Sequence, residues 1–126
     1  MNKNSTEIIG IGHFKIDKAN LDEYKRLCAQ AMQVVLAKEP GTLQYDLFFN
    51  ADGSECLFIE RYKDSASLMA HAVNLGELFG AIVDKVTVIH GAVLGNASPE
   101  LKAALAVGPV KHFALHQSME TPSSGK

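Results

Sequence analysis

The sequence predicts an α+β sandwich: one antiparallel sheet with helices laid against it. Three observations carry this. Apolar residues alternate with a period of two over 8–16, 42–49 and 56–62, the mark of strands. Between the first two, Leu21, Tyr24, Leu27, Cys28, Ala31, Val34 and Val35 recur at helical spacing. The second and third strands are joined directly through Asp52-Gly53, a strong turn signal that makes them a hairpin.

Each element follows in order. Residues 1–6 are polar. In strand 8–16, Ile9, Ile11 and His13 share one face, with Gly10, Gly12, Phe14 and Ile16 on the other. Glycines inside a strand predict a close approach by another backbone or a ligand. Asn20 can cap the first helix, with Glu23 completing a capping-box-like pair. That helix stops at Glu39-Pro40-Gly41, because proline disfavours helical geometry in the residue before it. Strand 42–49 puts Leu43, Tyr45, Leu47 and Phe49 on one face. Strand 56–62 puts Cys56, Phe58, Glu60 and Tyr62 on one face and Leu57, Ile59 and Arg61 on the other. Both sheet faces thus carry apolar side chains, and one helix layer covers one face only, so a second subunit is expected over the other.

Asp64 or Ser65 caps a helix carrying Leu68, Met69, His71, Ala72 and Leu75, interrupted at Gly76. Leu78, Phe79, Ile82, Val83 and Val86 extend the apolar helical face. Residues 87–94 read as a strand. Ser98-Pro99 opens a short helix over 101–107, Gly108-Pro109 stops it, and 110–117 alternates as a last strand. The tail, 121–126, is linker-like. The order β-α-β-β-α-β with an antiparallel sheet is that of a ferredoxin-like sandwich. We divide it into a ferredoxin-like unit, 1–95, and a C-terminal α-β extension with a loose tail, 96–126.

At 126 residues and 47% hydrophobic content the chain is one domain. Its net charge of −2 offers no positive field for phosphates, so nucleic acid is not an expected partner. No apolar run approaches the roughly 20 residues of a membrane span. Two cysteines, Cys28 and Cys56, make neither a disulfide framework nor a CxxC knuckle, which suits a reduced, cytoplasmic chain.

The strong catalytic motifs are absent: no phosphate-binding glycine loop, no nucleophile elbow, no HExxH. A sparser constellation remains. His71 shares a helix face with Leu68 and Leu75, and such neighbours favour the uncharged imidazole that accepts a proton. Glu60 lies in an apolar strand and needs a partner there. Tyr45 lies on the neighbouring strand. His112 and His116, four apart in a strand, would be ~13 Å apart on one face, too far to share a metal. No spacing supports a metal site.

The stretches Glu39-Pro40-Gly41-Thr42-Leu43-Gln44-Tyr45-Asp46, Phe58-Ile59-Glu60-Arg61-Tyr62-Lys63-Asp64 and Leu68-Met69-Ala70-His71 together resemble the antibiotic-biosynthesis monooxygenase (ABM) family, which includes small quinol monooxygenases. The resemblance runs from about residue 8 to residue 88. It implies a ferredoxin-like fold of the dimeric α/β-barrel type, pairing sheet to sheet, with a pocket between sheet and helices. It also implies oxidation of a small dihydroxy aromatic, hydroquinone-like, by O2 without a cofactor. The matching residues are Tyr45, Glu60, Tyr62 and His71. In that reading His71 is the base, Tyr45 a donor to the phenolate and Glu60 the group that orients His71, with Phe58, Tyr62, Met69 and Phe79 against the substrate. The family often has tryptophan where Tyr62 stands, and a second histidine where this chain has Leu78-Phe79. A haem-degrading relative is disfavoured because the chain has no tryptophan. Two alternatives stand beside the oxygenase: an acid–base isomerase of a small hydroxy-ketone, and a non-catalytic dimeric module for a small apolar ligand.

Overall fold

The computed structural model describes residues 1–120; the linker-like tail expected at 121–126 lies outside the described residues. Five strands form one open, mixed sheet: β1 (Ile8–Lys15), β2 (Thr42–Phe49), β3 (Glu55–Tyr62), β4 (Thr87–Gly95) and β5 (Lys111–Phe113). Their order is β2-β3-β1-β4-β5. The first four pair antiparallel in the ferredoxin-like arrangement, and β5 adds to the β4 edge in parallel. Four helices accompany them: α1 (Leu21–Lys38), α2 (Ser65–Leu75), α3 (Glu77–Val83) and α4 (Pro99–Ala106).

The inner face of the sheet holds the core. Tyr24, Leu27, Cys28, Ala31 and Val35 of α1 pack with Tyr45, Cys56 and Phe58 of β2 and β3. A second cluster joins Ile8, Tyr62, Val93, Ala97 and Leu101. The outer face stays open. Phe48 and Leu57, paired across β2 and β3, are 52% and 40% exposed, and Phe113 on β5 is 50% exposed.

Local chemistry explains most boundaries. The Asp64 carboxylate accepts from the Ser67 N–H at 2.8 Å and starts α2. Gly76, at φ +50°, ends it, and α3 leaves at 82°. Among the described residues no single helix is long and apolar enough to cross a membrane. The Ser98 hydroxyl accepts from the Leu101 N–H at 3.1 Å, with Pro99 at the first position of α4.

Several expectations change. Asn20 makes no side-chain cap, because Lys18–Asn20 forms a 3-10 turn that places Asn20 itself in helical geometry. Glu23 turns to Arg26 instead, at 2.6 Å. Leu43 leaves the Tyr45 face: the β2–β3 register shifts between Thr42 and Gln44, and Leu43 is 46% exposed. What crowds Gly12 is neither backbone nor ligand but the Phe14 ring, 2.8 Å from where a Cβ would stand. The last strand spans three residues rather than eight. Its partner β4 ends at Gly95, one residue past the Leu94–Phe113 pair, so the ladder has nothing to continue on. His112 and His116 therefore share no strand face, and His112 Nε2 donates to the Gly95 carbonyl at 2.8 Å.

Candidate functional site

His71 stands at the end of the second turn of α2, on the side turned to the sheet, and is buried. Its ring packs near two tyrosines: Tyr45 on β2, centroid to centroid 5.2 Å, and Tyr62 on β3, 5.6 Å. Tyr45 also packs on Phe58 at 5.5 Å. Strand alternation makes this possible. Tyr45 pairs with Glu60 across β2–β3, and Phe58, Glu60 and Tyr62 point to the same inner face.

A carboxylate does hold His71, but it comes from elsewhere than expected. His71 Nδ1 is 2.8 Å from Glu39 Oε1. Glu39 follows the last residue of α1, where its N–H donates to the Val35 carbonyl, while its side chain folds inward and is 3% exposed. Thr42 Oγ1 donates to the same oxygen at 2.9 Å, and Asn74 Nδ2 donates to Oε2 at 3.3 Å. Glu60 instead accepts from the Tyr62 hydroxyl. The two residues are two apart on one strand face, so the phenol reaches the carboxylate before any helix residue does.

Electrostatics follows from burial. Desolvation pushes the Glu60 carboxyl above its ordinary range, and the Tyr62 hydrogen bond and the nearby His71 pull it back only in part. Burial likewise raises the Tyr45 and Tyr62 phenols, with the Glu60 charge adding to both, so both hydroxyls stay protonated. His71 Nε2 makes no hydrogen bond among the described residues, and neither do the Tyr45 hydroxyl and Glu60 Oε2. The sole sealed side-chain polar atom without a partner there is the Tyr24 hydroxyl, so these free atoms are reached by solvent. The arrangement presents an imidazole nitrogen free of hydrogen bonds among the described residues beside protonated phenols in an aromatic frame.

Five of the seven residues singled out from sequence thus meet: Tyr45, Phe58, Glu60, Tyr62 and His71. Two do not join them. Met69 packs with the Ile8 and Leu101 cluster and lines a cleft of about 480 Å³ with Thr6, Asp64 and Asn96. Phe79, on α3, is 56% exposed, because Gly76 turns α3 away from the axis of α2. Another cleft, of about 560 Å³, lies between α4 and β5, also away from His71. Glu39 and Asn74 are the residues that sequence reasoning missed. One signal was available: His71 and Asn74 stand three apart on α2, a spacing that lets both reach one polar partner. Among the described residues no three His, Cys, Asp or Glu side chains gather as metal ligands.

The comparisons with known proteins agree with this fold. The family model of antibiotic biosynthesis monooxygenases matches residues 8–76. Among solved structures, MupZ from Pseudomonas fluorescens is 28% identical over 94% of this chain and 90% of its own, with a TM-score of 0.77. SnoaB, a cofactor-independent oxygenase from Streptomyces nogalater, is 14% identical over 91% and 98%, with a TM-score of 0.62. A conserved protein from Methanosarcina mazei is 18% identical over 72% and 91%, with a TM-score of 0.61. The search of curated proteins finds no match.

Proposed function

The chain belongs to the antibiotic biosynthesis monooxygenase family, and from that premise we propose that it is a cofactor-free oxygenase that oxidises a small, hydroquinone-like dihydroxy aromatic with O2. The observation that carries this reading is the state of His71: bound at Nδ1, packed near Tyr45 and Tyr62, with Nε2 free among the described residues.

The chemistry requires a base first. Triplet O2 reacts slowly with a closed-shell phenol and faster with a phenolate. His71 Nε2 takes the phenolic proton. The phenolate passes one electron to O2, and the resulting radical pair recombines to a peroxide. Loss of water from the peroxide leaves one oxygen atom in the product. The Tyr45 hydroxyl donates to the phenolate oxygen, and Phe58 and Tyr62 supply apolar surface that keeps bulk water off the intermediate. SnoaB's description as a cofactor-independent oxygenase supports the same class of reaction.

A second reading rests on Glu60. Burial favours its protonated form beside a proton acceptor, and an acid–base pair of that kind suits an isomerase of a small hydroxy-ketone. We further read the open outer face, with Phe48, Leu57 and Phe113, as covered by a second copy of the chain, and the buried thiols as suited to the cytoplasm.

Oxygen uptake with a panel of hydroquinones tests the main reading. We expect turnover with at least one, lowered about a hundredfold or more in His71→Ala, the scale of a lost general base. Full activity in that variant overturns it. Deuterium exchange into a hydroxy-ketone without oxygen uptake would favour the isomerase. Sedimentation tests the assembly: a dimer is expected at micromolar concentration, and a monomer counts against it.

A further inference from the structure

We infer that Glu39 is a positioning residue that sets the tautomer of His71, fixing its proton on Nδ1 so that Nε2 is the accepting nitrogen. The role assigned to His71 rests on the oxygenase reading above; the tautomer itself does not.

The argument is one of donors and acceptors. A neutral imidazole carries one proton, and the nitrogen that holds it is set by the hydrogen bond that nitrogen makes. Glu39 Oε1 lies 2.8 Å from Nδ1. That carboxylate also receives the Thr42 hydroxyl at 2.9 Å and the Asn74 amide at 3.3 Å. With donors converging on both oxygens, Glu39 acts as an acceptor, and the atom facing it must bring a proton. Nδ1 therefore donates, and the lone pair is left on Nε2.

Three elements hold this arrangement. Glu39 is fixed by the end of α1, Thr42 opens β2, and His71 and Asn74 reach down from α2. Gly41 lets α2 settle on this turn: a Cβ there would stand 2.2 Å from Ser67 Oγ. The Tyr45 and Tyr62 rings both pack near the imidazole and restrict its rotation. Without Glu39 nothing would oppose the proton's preference for Nε2 in free imidazole, and the lone pair would point into the protein.

Long-range 15N–1H correlation NMR at pH 8 reads the tautomer directly and needs no substrate. The wild type should show His71 protonated at Nδ1 with Nε2 unprotonated. Glu39→Ala should move the proton to Nε2, while Thr42→Val, which leaves the Glu39–His71 contact in place, should not. In turnover, Glu39→Ala should lower kcat about a hundredfold or more with KM little changed, because the base then presents the wrong tautomer. A proton on Nε2 in the wild type overturns the inference without any variant having to fold, and so does an unchanged tautomer in Glu39→Ala. If no hydroquinone is consumed but the tautomer behaves as stated, the oxygenase reading fails alone.

Discussion

The inner face of the sheet carries two cores of different construction. The larger lies under the five-turn helix α1, with Tyr24, Leu27, Cys28, Ala31 and Val35 set against Tyr45, Cys56 and Phe58. The smaller lies under the two-turn helix α4, with Ile8, Tyr62, Val93, Ala97 and Leu101. His71 stands at their seam, packed near Tyr45 from the larger core and Tyr62 from the smaller. The difference teaches where a sandwich can keep ionisable groups. The sealed Tyr24 hydroxyl apart, the cores are built of apolar packing, and the ionisable groups Glu39, Glu60 and His71 collect at the seam between them. The larger core falls almost entirely within residues 8–76, but the smaller needs Val93, Ala97 and Leu101 beyond them. The C-terminal extension therefore builds the support behind one wall of the site.

The strongest way to break this comparison is Leu101→Ala. Leu101 is 1% exposed, and its loss should destabilise the protein by about 2–5 kcal/mol in urea unfolding, as for other buried leucines. A loss below about 1 kcal/mol would mean that the smaller core collapses without cost and α4 supports nothing. Glu60→Gln probes the seam. Burial pushes the Glu60 carboxyl above its ordinary 4.5, so the native state keeps that proton to higher pH than the unfolded chain does. Stability then falls as pH rises from about 4.5 through the raised value. The glutamine variant removes that decline. It should melt higher than wild type at pH 8, with the gap closing at pH 4, and a gap independent of pH would exclude the burial argument. Tyr24→Phe has the smallest expected effect. The Tyr62 hydroxyl has Glu60, whereas the Tyr24 hydroxyl has only the Cys28 and Cys56 thiols near it and no geometrically good partner. Removing it should be neutral or stabilising by up to about 1 kcal/mol. A clear loss in the same unfolding experiment would show that the thiols satisfy it.

What could be read from the sequence was what depends on neighbours in the chain. Alternation in β1 to β3 assigned the faces of Tyr45, Phe58, Glu60 and Tyr62, and helical spacing turned His71 to the apolar side. The Ser98-Pro99 start of α4 is a hydrogen bond three residues long. What stayed hidden depends on distant partners. Glu39 and His71 are 32 positions apart, and the Glu-Pro-Gly run already had a sufficient explanation as a helix stop. The shift at Leu43 exists only relative to β3, and the length of β5 only relative to β4. Phe79 missed the site because one glycine at positive φ redirected a helix whose apolar pattern continued unbroken.

The sheet's two outermost strands are both poor templates for another strand. β5 is only three residues long and begins with Lys111, while β2 is interrupted at Leu43 and carries the exposed Asp46. A neighbouring molecule arriving edge-on at β5 finds only three residues on which to extend the sheet. Growth of the sheet by edge pairing is disfavoured at both ends.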